Sequence, residues 1–135
     1  MFKERRINLI ESLNPGSAII LYGARIQYRN ADSAYAFRQD SNFWYLSGFN
    51  EADSVMLIIK DIEQQIRSMI FVPPKDKTRE IWDGYRSGPD GAINDFGFDK
   101  AYENTKLEEM IPQLLVGLYQ AVSYTHLRAH ETSAD

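Results

Sequence analysis

The fold is decided by residues 29–51, which read RNADSAYAFRQDSNFWYLSGFNE. The first part, residues 29–42, is polar and turn-prone, but Tyr35 and Phe37 interrupt it. A fully solvated loop has no reason to carry two large aromatic side chains. We therefore predict an ordered, partly buried loop.

Four charged residues lie in this predicted loop: Arg29, Asp32, Arg38 and Asp40. Buried charges need partners, so we expect Asp32 or Asp40 to pair with Arg29 or Arg38 in bidentate geometry. Such a network would fix the shape of the loop, and it could also form a contact between subunits. For these residues the structural interpretation is favoured over a catalytic one.

The aromatic run that follows, residues 43–46, predicts a strand with both faces apolar, because Phe43 and Tyr45 would point one way and Trp44 and Leu46 the other. Gly48 would end this strand in a turn. Further strands are predicted at residues 54–60 and 67–72, and short links between them suggest an antiparallel meander that continues from 43–46.

Helical and strand patterns alternate over the rest of the chain. Helices are predicted at residues 2–13, 89–96 and 106–119, and additional strands at 17–22 and 98–102. The last helix would face the core with six apolar residues: Leu107, Met110, Ile111, Leu114, Leu115 and Leu118. Asn104 or Thr105 could cap it, and Pro112 would kink it or delay its regular part. These patterns predict an α/β domain with a mixed sheet of about five or six strands flanked by helices.

Composition excludes several classes of protein. The chain is 44% hydrophobic and 25% charged, as in globular domains, and its net charge of −4 comes without the basic run that a nucleic-acid-binding protein needs. The pair Arg5-Arg6 is interpreted as the solvated face of a helix. With no cysteine, the chain can form neither disulfides nor thiolate metal sites. No signal peptide or membrane-spanning run is evident, so the predicted location is cytoplasmic and no membrane partner is expected.

Two segments carry a family resemblance. Residues 29–51, and EIWDGYR at residues 80–86, resemble signature segments of the N-terminal domain of Xaa-Pro aminopeptidases (aminopeptidase P), and the likeness extends over residues 2–120. The resemblance implies a fold like the creatinase and prolidase N-terminal domain, with a ribonuclease H-like motif.

The resemblance also implies that catalysis takes place in a different domain of the parent protein. A full-length member of the family removes the N-terminal residue from peptides with proline second, using two divalent metals, usually manganese, held in a C-terminal domain of pita-bread fold. This chain stops before that domain, so it is expected to hold no metal and no catalytic residue, and to be inactive alone. Its implied role is to support, cover and oligomerise its own catalytic domain in a homo-oligomer.

Trp82, in the second segment, is the candidate substrate-binding residue. In the family, the tryptophan at this position can reach toward the active site of a neighbouring subunit; the alternative is that Trp82 fills a core or an interface. Trp44 is interpreted as a structural or interface residue, together with Asp32, Arg38 and Asp40.

Other metal sites are disfavoured. Two carboxylate sets, Asp76/Glu80/Asp83 and Asp90/Asp95/Asp99, are better interpreted as solvated faces, and no EF-hand loop is present. His126 and His130 have zinc-compatible spacing. They lie, however, in residues 122–135, which resemble a translated sequencing adapter, so the native domain is predicted to span residues 1–121.

Two alternative functions remain open from the sequence. The parent protein could be a prolidase that cleaves Xaa-Pro dipeptides, since its N-terminal domain has a related pattern. The chain could also be a stand-alone, noncatalytic domain that binds a protein partner through the loop around Trp82.

Overall fold

The computed structural model describes residues 1–25, 28–30, 33–34, 38–75, 86–118 and 120–124. The elements in chain order are α1 (Phe2–Glu11), β1 (Ser17–Tyr22), β2 (Tyr28–Asn30), β3 (Ser33–Ala34), α2 (Ser41–Ser47), β4 (Val55–Lys60), β5 (Ile66–Val72), α3 (Gly88–Phe96), β6 (Lys100–Glu103), a 3₁₀ turn (Asn104–Lys106), α4 (Leu107–Leu114) and β7 (Gln120–Tyr124).

Five strands form one mixed sheet in the order β6-β5-β4-β1-β7. The three central strands are antiparallel neighbours, with Ser17 opposite Lys60 and Val55 opposite Phe71. The two outer strands run parallel to their neighbours. The predicted α/β fold with a mixed sheet is confirmed. Strands β2 and β3 form a separate two-stranded sheet.

Both faces of the sheet are covered, which accounts for the continuous apolar runs of its central strands. One face, here called the three-helix face, packs against α1, α2 and α3 through buried residues such as Ile10, Phe43 and Ala92. The opposite face, here called the α4 face, packs against the chain from Leu107 onward. The sheet is therefore the middle layer of three.

Helix α4 packs on the sheet as its apolar pattern predicts. All six predicted core-facing residues lie against the buried side chains of the α4 face, although each is only partly buried. The helix is shorter than the predicted 106–119: it ends at Leu114, so Leu115 and Leu118 make these contacts from the chain that follows it. Pro112 lies inside the helix, which begins five residues before it. The predicted cap is wrong: the 3₁₀ turn places Lys106 at the N-cap without a side-chain hydrogen bond, and the Asn104 side chain instead donates to the Asp53 carbonyl at 3.0 Å.

The strand predicted at residues 43–46 is wrong, because these residues lie in helix α2. Asp40 caps its start, where the side chain accepts a hydrogen bond from the Phe43 N–H, and Gly48 ends it in the left-handed conformation. Of the predicted meander only the β4-β5 pair remains, and the second antiparallel neighbour of β4 is β1. A four-residue apolar run does not distinguish a strand from a buried helix, and here the flanking cap residues decide.

Strand β7 continues through Val122 to Tyr124, so it crosses the predicted boundary of the native domain at residue 121. The adapter origin of residues 122–135 stays a prediction. Both histidines of that tail, His126 and His130, lie outside the described residues.

Candidate functional site

Gln39 organises the loop before helix α2. Its side chain is buried and satisfies four backbone groups: Nε2 donates to the carbonyls of Phe49 and Glu51, and Oε1 accepts from the N–H groups of Ala24 and Asp40. One amide therefore joins three separate parts of the chain. The prediction that this region is ordered and partly buried holds for its described part.

Only some members of the predicted network of charged residues lie in the described part of the chain. Asp40 acts as the N-cap of α2, while Arg38 is exposed. Asp32 and the side chain of Arg29 lie outside the described residues. The pairing of Asp32 or Asp40 with Arg29 or Arg38 stays a prediction.

Arg6 contradicts the interpretation of Arg5-Arg6 as a solvated face. The residue is 1% exposed, and its guanidinium donates to the carbonyls of Leu46, Phe96 and Gly97 at 2.9–3.1 Å. It also lies 3.9 Å from the centroid of the Phe98 ring. Arg6 thus links α1 to the last turns of α2 and α3, because each accepting carbonyl lies at a helix end and lacks a helical partner.

Burial lowers the pKa of Arg6 to about 10, and the nearby carboxylate of Asp99 opposes this shift. The side chain therefore stays protonated at neutral pH. Its Nε is buried and has no hydrogen-bond partner among the residues that the structure describes. Three charge-assisted hydrogen bonds and the Phe98 ring offset the cost of burying this cation.

Glu51, the last residue of the first signature segment, contacts the chain just after the second segment. This residue is 9% exposed, and its Oε2 accepts a hydrogen bond from the backbone N–H of Ser87 at 2.8 Å. Ser87 directly precedes α3 and directly follows the EIWDGYR segment. The last residue of the first segment therefore contacts the residue that directly follows the second.

The described residues on either side of the segment that contains Trp82 lie next to each other. Lys75, which precedes it, donates from Nζ to the carbonyl of Arg86 at 2.7 Å. Gly88 approaches so closely that an added Cβ would lie 2.9 Å from the Cβ of Lys75. Trp82 itself, like Asp76, Glu80 and Asp83, lies outside the described residues.

Trp44 lies on the outer surface of α2. It is 46% exposed and makes an edge-to-face contact with Phe2, with ring centroids 5.6 Å apart. The adjacent Tyr45 is 53% exposed, and the Arg5 guanidinium stacks on its ring at 4.2 Å. Helices α1 and α2 thus present aromatic surface next to a groove of about 390 Å³.

Within the described part of the chain, no three His, Cys, Asp or Glu side chains lie close enough to hold a metal ion. Asp99, from one of the predicted carboxylate sets, instead accepts hydrogen bonds from the backbone and hydroxyl of Ser68. Like Asp99, the side chains of Arg6, Gln39 and Glu51 hold backbone groups in place. Their arrangement supports positioning of segments rather than bond cleavage.

Sequence reasoning missed Arg6, Gln39 and Glu51 as organising residues. A signal for Arg6 existed, since Phe2, Arg6 and Ile10 recur at four-residue spacing and so share one helical face. No comparable pattern indicates that Gln39 and Glu51 are buried, because each lies in a polar loop and its partners are backbone groups.

Comparison with known proteins gives a consistent result. The family model described as "Aminopeptidase P, N-terminal domain" matches residues 2–122. The Xaa-Pro aminopeptidase of Escherichia coli K12 is 41% identical over 117 residues, which is 87% of this chain and 26% of the relative.

Solved structures agree with this match. Escherichia coli aminopeptidase P with the inhibitor Pro-Leu superposes with a TM-score of 0.88 at 37% identity, over 98% of this chain and 30% of that one. A zinc-substituted form of the same enzyme with product gives a TM-score of 0.87 at 38% identity, over 96% and 29%. The chain therefore spans about a quarter to a third of the length of these relatives.

Proposed function

Because the chain belongs to the aminopeptidase P N-terminal domain family, we propose that it is the accessory and oligomerisation domain of a metallo-aminopeptidase that releases the N-terminal residue from Xaa-Pro peptides. The observation that carries this proposal is the agreement of nearly the whole chain with the N-terminal part of aminopeptidase P. In this proposal the side chains of Arg6, Gln39 and Glu51 hold segments of this domain in place, and the catalytic residues lie in another domain.

The proposal places two divalent ions, usually manganese in this family, in the C-terminal domain of the parent protein. That domain supplies the hydroxide nucleophile and the stabilisation of the displaced oxygens. The lack of a three-residue metal cluster in the described part of this chain is compatible with that division. Residues 1–121 alone are therefore expected to be inactive.

The first test of this proposal is to sequence the gene beyond the codon for Ala121. Reading the frame beyond Ala121 should reveal a pita-bread domain, and the full-length product should release the first residue of an Xaa-Pro-Xaa peptide in a manganese-dependent way. Residues 1–121 should show no release. A native stop codon near Ala121, or a full-length product without this activity, would refute the proposal.

Trp82 is proposed to contact substrate from a neighbouring subunit. In the full-length enzyme, Trp82→Ala should raise KM for longer Xaa-Pro substrates roughly tenfold, the size expected when a buried aromatic contact is removed. Metal content should not change, because Trp82 is not a ligand. Steady-state kinetics with peptides of increasing length, together with metal analysis, check this; unchanged kinetics would count against the contact.

The proposed oligomer has two candidate contact residues in the described part of the chain. Arg38 and Trp44 both expose their side chains, which leaves them available to another subunit. Arg38→Ala in the full-length protein should lower its sedimentation mass or its melting temperature. Asp32 and Asp40 remain proposed members of the same network.

Aminopeptidase activity is preferred over the two alternatives. The Escherichia coli relatives carry aminopeptidase names, and no observation specifically favours a dipeptidase or a stand-alone interaction domain. A cytoplasmic location is also proposed. None of the described helices has the length and apolar character needed to cross a membrane.

A further inference from the structure

A cavity of about 230 Å³ lies at one end of the main sheet, where β1 ends, β4 begins and the 3₁₀ turn follows β6. Every residue that lines it belongs to the described part of the chain. Pockets for drug-sized ligands measure roughly 300–1,000 Å³, so this cavity suits a smaller molecule.

Two opposite charges line this cavity, the guanidinium of Arg25 and the carboxylate of Asp53. Both residues are exposed, and within the described part of the chain neither side chain makes a hydrogen bond or an ion pair, even with the other. A guanidinium binds a carboxylate in bidentate geometry, and a carboxylate accepts hydrogen bonds from an ammonium group. The two side chains are therefore complementary to a small ligand that carries both charges.

The backbone at Asp53 is held in an unusual conformation. Its φ is +59°, in the left-handed region that few residues other than glycine adopt. Two hydrogen bonds fix it there: the Asp53 N–H donates to the Ala24 carbonyl at 2.9 Å, and the Asp53 carbonyl accepts from Asn104 Nδ2 at 3.0 Å. Glycine would adopt this conformation without strain. Since the carboxylate adds no hydrogen bond to the described fold, a bound ligand explains it better than the fold does.

Apolar side chains lie beside the two charged groups. Val55 is buried, Tyr22 and Leu107 are half-buried, and all three line the cavity and pack in the core of the α4 face. A short aliphatic group placed against them would be removed from water, which favours binding. The cavity thus combines a site for each charge with an apolar wall.

We propose that this cavity binds a free α-amino acid with an aliphatic side chain. Arg25 receives the carboxylate, Asp53 receives the ammonium group, and the aliphatic side chain lies against Val55 and Leu107. The ligand binds to this chain itself, so the proposal does not depend on the proposed function.

The first test is a titration of the full 135-residue chain with L-leucine, followed by nuclear magnetic resonance. The backbone amides of Gly23 and Asp53 and the side-chain amide of Asn104 should shift and reach saturation in the millimolar range. Two analogues each remove one charge: N-acetyl-leucine has no ammonium group, and leucinamide has no carboxylate. Each should bind roughly fivefold more weakly than leucine, as expected for the loss of one ion pair at an exposed site.

Two variants assign each charge to its side chain. Asp53→Asn removes the carboxylate but keeps a residue that tolerates positive φ, and Arg25→Gln removes the guanidinium. Asp53→Asn should weaken leucine binding roughly fivefold and leave N-acetyl-leucine unaffected, whereas Arg25→Gln should weaken leucine equally and leave leucinamide unaffected. Arg67→Gln is the matched control, because Arg67 is exposed on β5 and does not line the cavity. It should leave leucine binding unchanged.

Several results would overturn the proposal: no saturable shift with leucine, equal binding of leucine and both analogues, or an equal loss of binding in Arg67→Gln. Tighter binding of leucinamide than of leucine would indicate a site for a cation or a peptide N-terminus instead. Tighter binding of N-acetyl-leucine would indicate a simple anion site. Thermal melts establish that each variant is folded, and if one is not, the analogue series on the unchanged chain decides.

Discussion

The two faces of the sheet are covered by different means. On the three-helix face, directional hydrogen bonds from the buried Arg6 tie helix ends together above a core whose members are fully buried. On the α4 face, the helix has no buried residue and packs through partly exposed apolar side chains. The first face is fixed by specific polar contacts, whereas the second depends on apolar area.

This difference predicts how strongly substitutions on each face should lower the free energy of unfolding. A layer held by directional bonds has few alternative positions, so the loss of one group leaves its partners unsatisfied. A half-exposed helix can move toward a shortened side chain and fill part of the space. Substitutions on the two faces should therefore differ in cost.

The largest effect is expected from Arg6→Ala. The change leaves the buried Leu46 carbonyl and the partly buried Phe96 and Gly97 carbonyls without their donor, and it removes the contact with Phe98. Together these losses should lower the free energy of unfolding on the order of 4 kcal/mol. Urea unfolding followed by circular dichroism measures this. Arg5→Ala, on the same helix but partly exposed, is the control and should cost no more than about 1 kcal/mol. Similar losses in the two variants would refute the structural role assigned to Arg6.

An intermediate effect is expected from two adjacent core residues of β4. Leu57 and Ile58 are both 0% exposed but point to opposite faces. Ile58→Ala should cost about 4 kcal/mol and Leu57→Ala about 2–3 kcal/mol, because only the α4 face can collapse onto the cavity. The same urea experiment compares them. Equal losses of unfolding free energy, or a larger loss for Leu57→Ala than for Ile58→Ala, would contradict this difference between the faces.

The smallest effect is expected from Gly48→Ala compared with Gly97→Ala. Both glycines end helices of the three-helix face with φ near +70°, so alanine is strained at either site by about 1 kcal/mol. At Gly48 the new Cβ would also lie 2.5 Å from the Phe2 ring, whereas at Gly97 the nearest atom is 3.6 Å away. Thermal melts should show the larger decrease in melting temperature for Gly48→Ala. Equal decreases would mean that the Phe2 ring moves away from the new Cβ without lowering stability.

Most of the sheet and most of its helices were predicted from the sequence, but strand β7 and helix α2 were not. Strands β1, β4 and β5 were recognised because a long apolar run with turn residues at both ends is typical of a buried strand. The apolar face of α4 followed in the same way from helical spacing. By contrast, the run 43–46 was too short for periodicity to separate strand from helix, and its state is fixed by Asp40 and Gly48 outside it.

Motif likeness located the two signature segments, but the side chains that organise the described site were not predicted. The two signature segments were found in the sequence, yet nothing in it showed that Glu51 reaches the Ser87 N–H, because the partner is a backbone group that every residue except proline has. Arg6 was assigned to solvent because arginine is rarely buried without a carboxylate partner, and here its partners are carbonyls at helix ends. Trp82 and Asp32 lie outside the described residues, so their roles stay predictions.

The pairing of β7 with β1 has a consequence for how the chain is made. Ser17 lies opposite Gln120, so β1 acquires one of its two neighbours only after nearly all of the domain has been synthesised. A nascent chain can form the antiparallel β1-β4-β5 unit early, but one edge of β1 then stays open until β7 emerges. Late pairing of this kind slows folding and leaves an apolar strand edge exposed during translation. Until β7 is made, the open edge of β1 is therefore the part of the sheet that another chain could pair with.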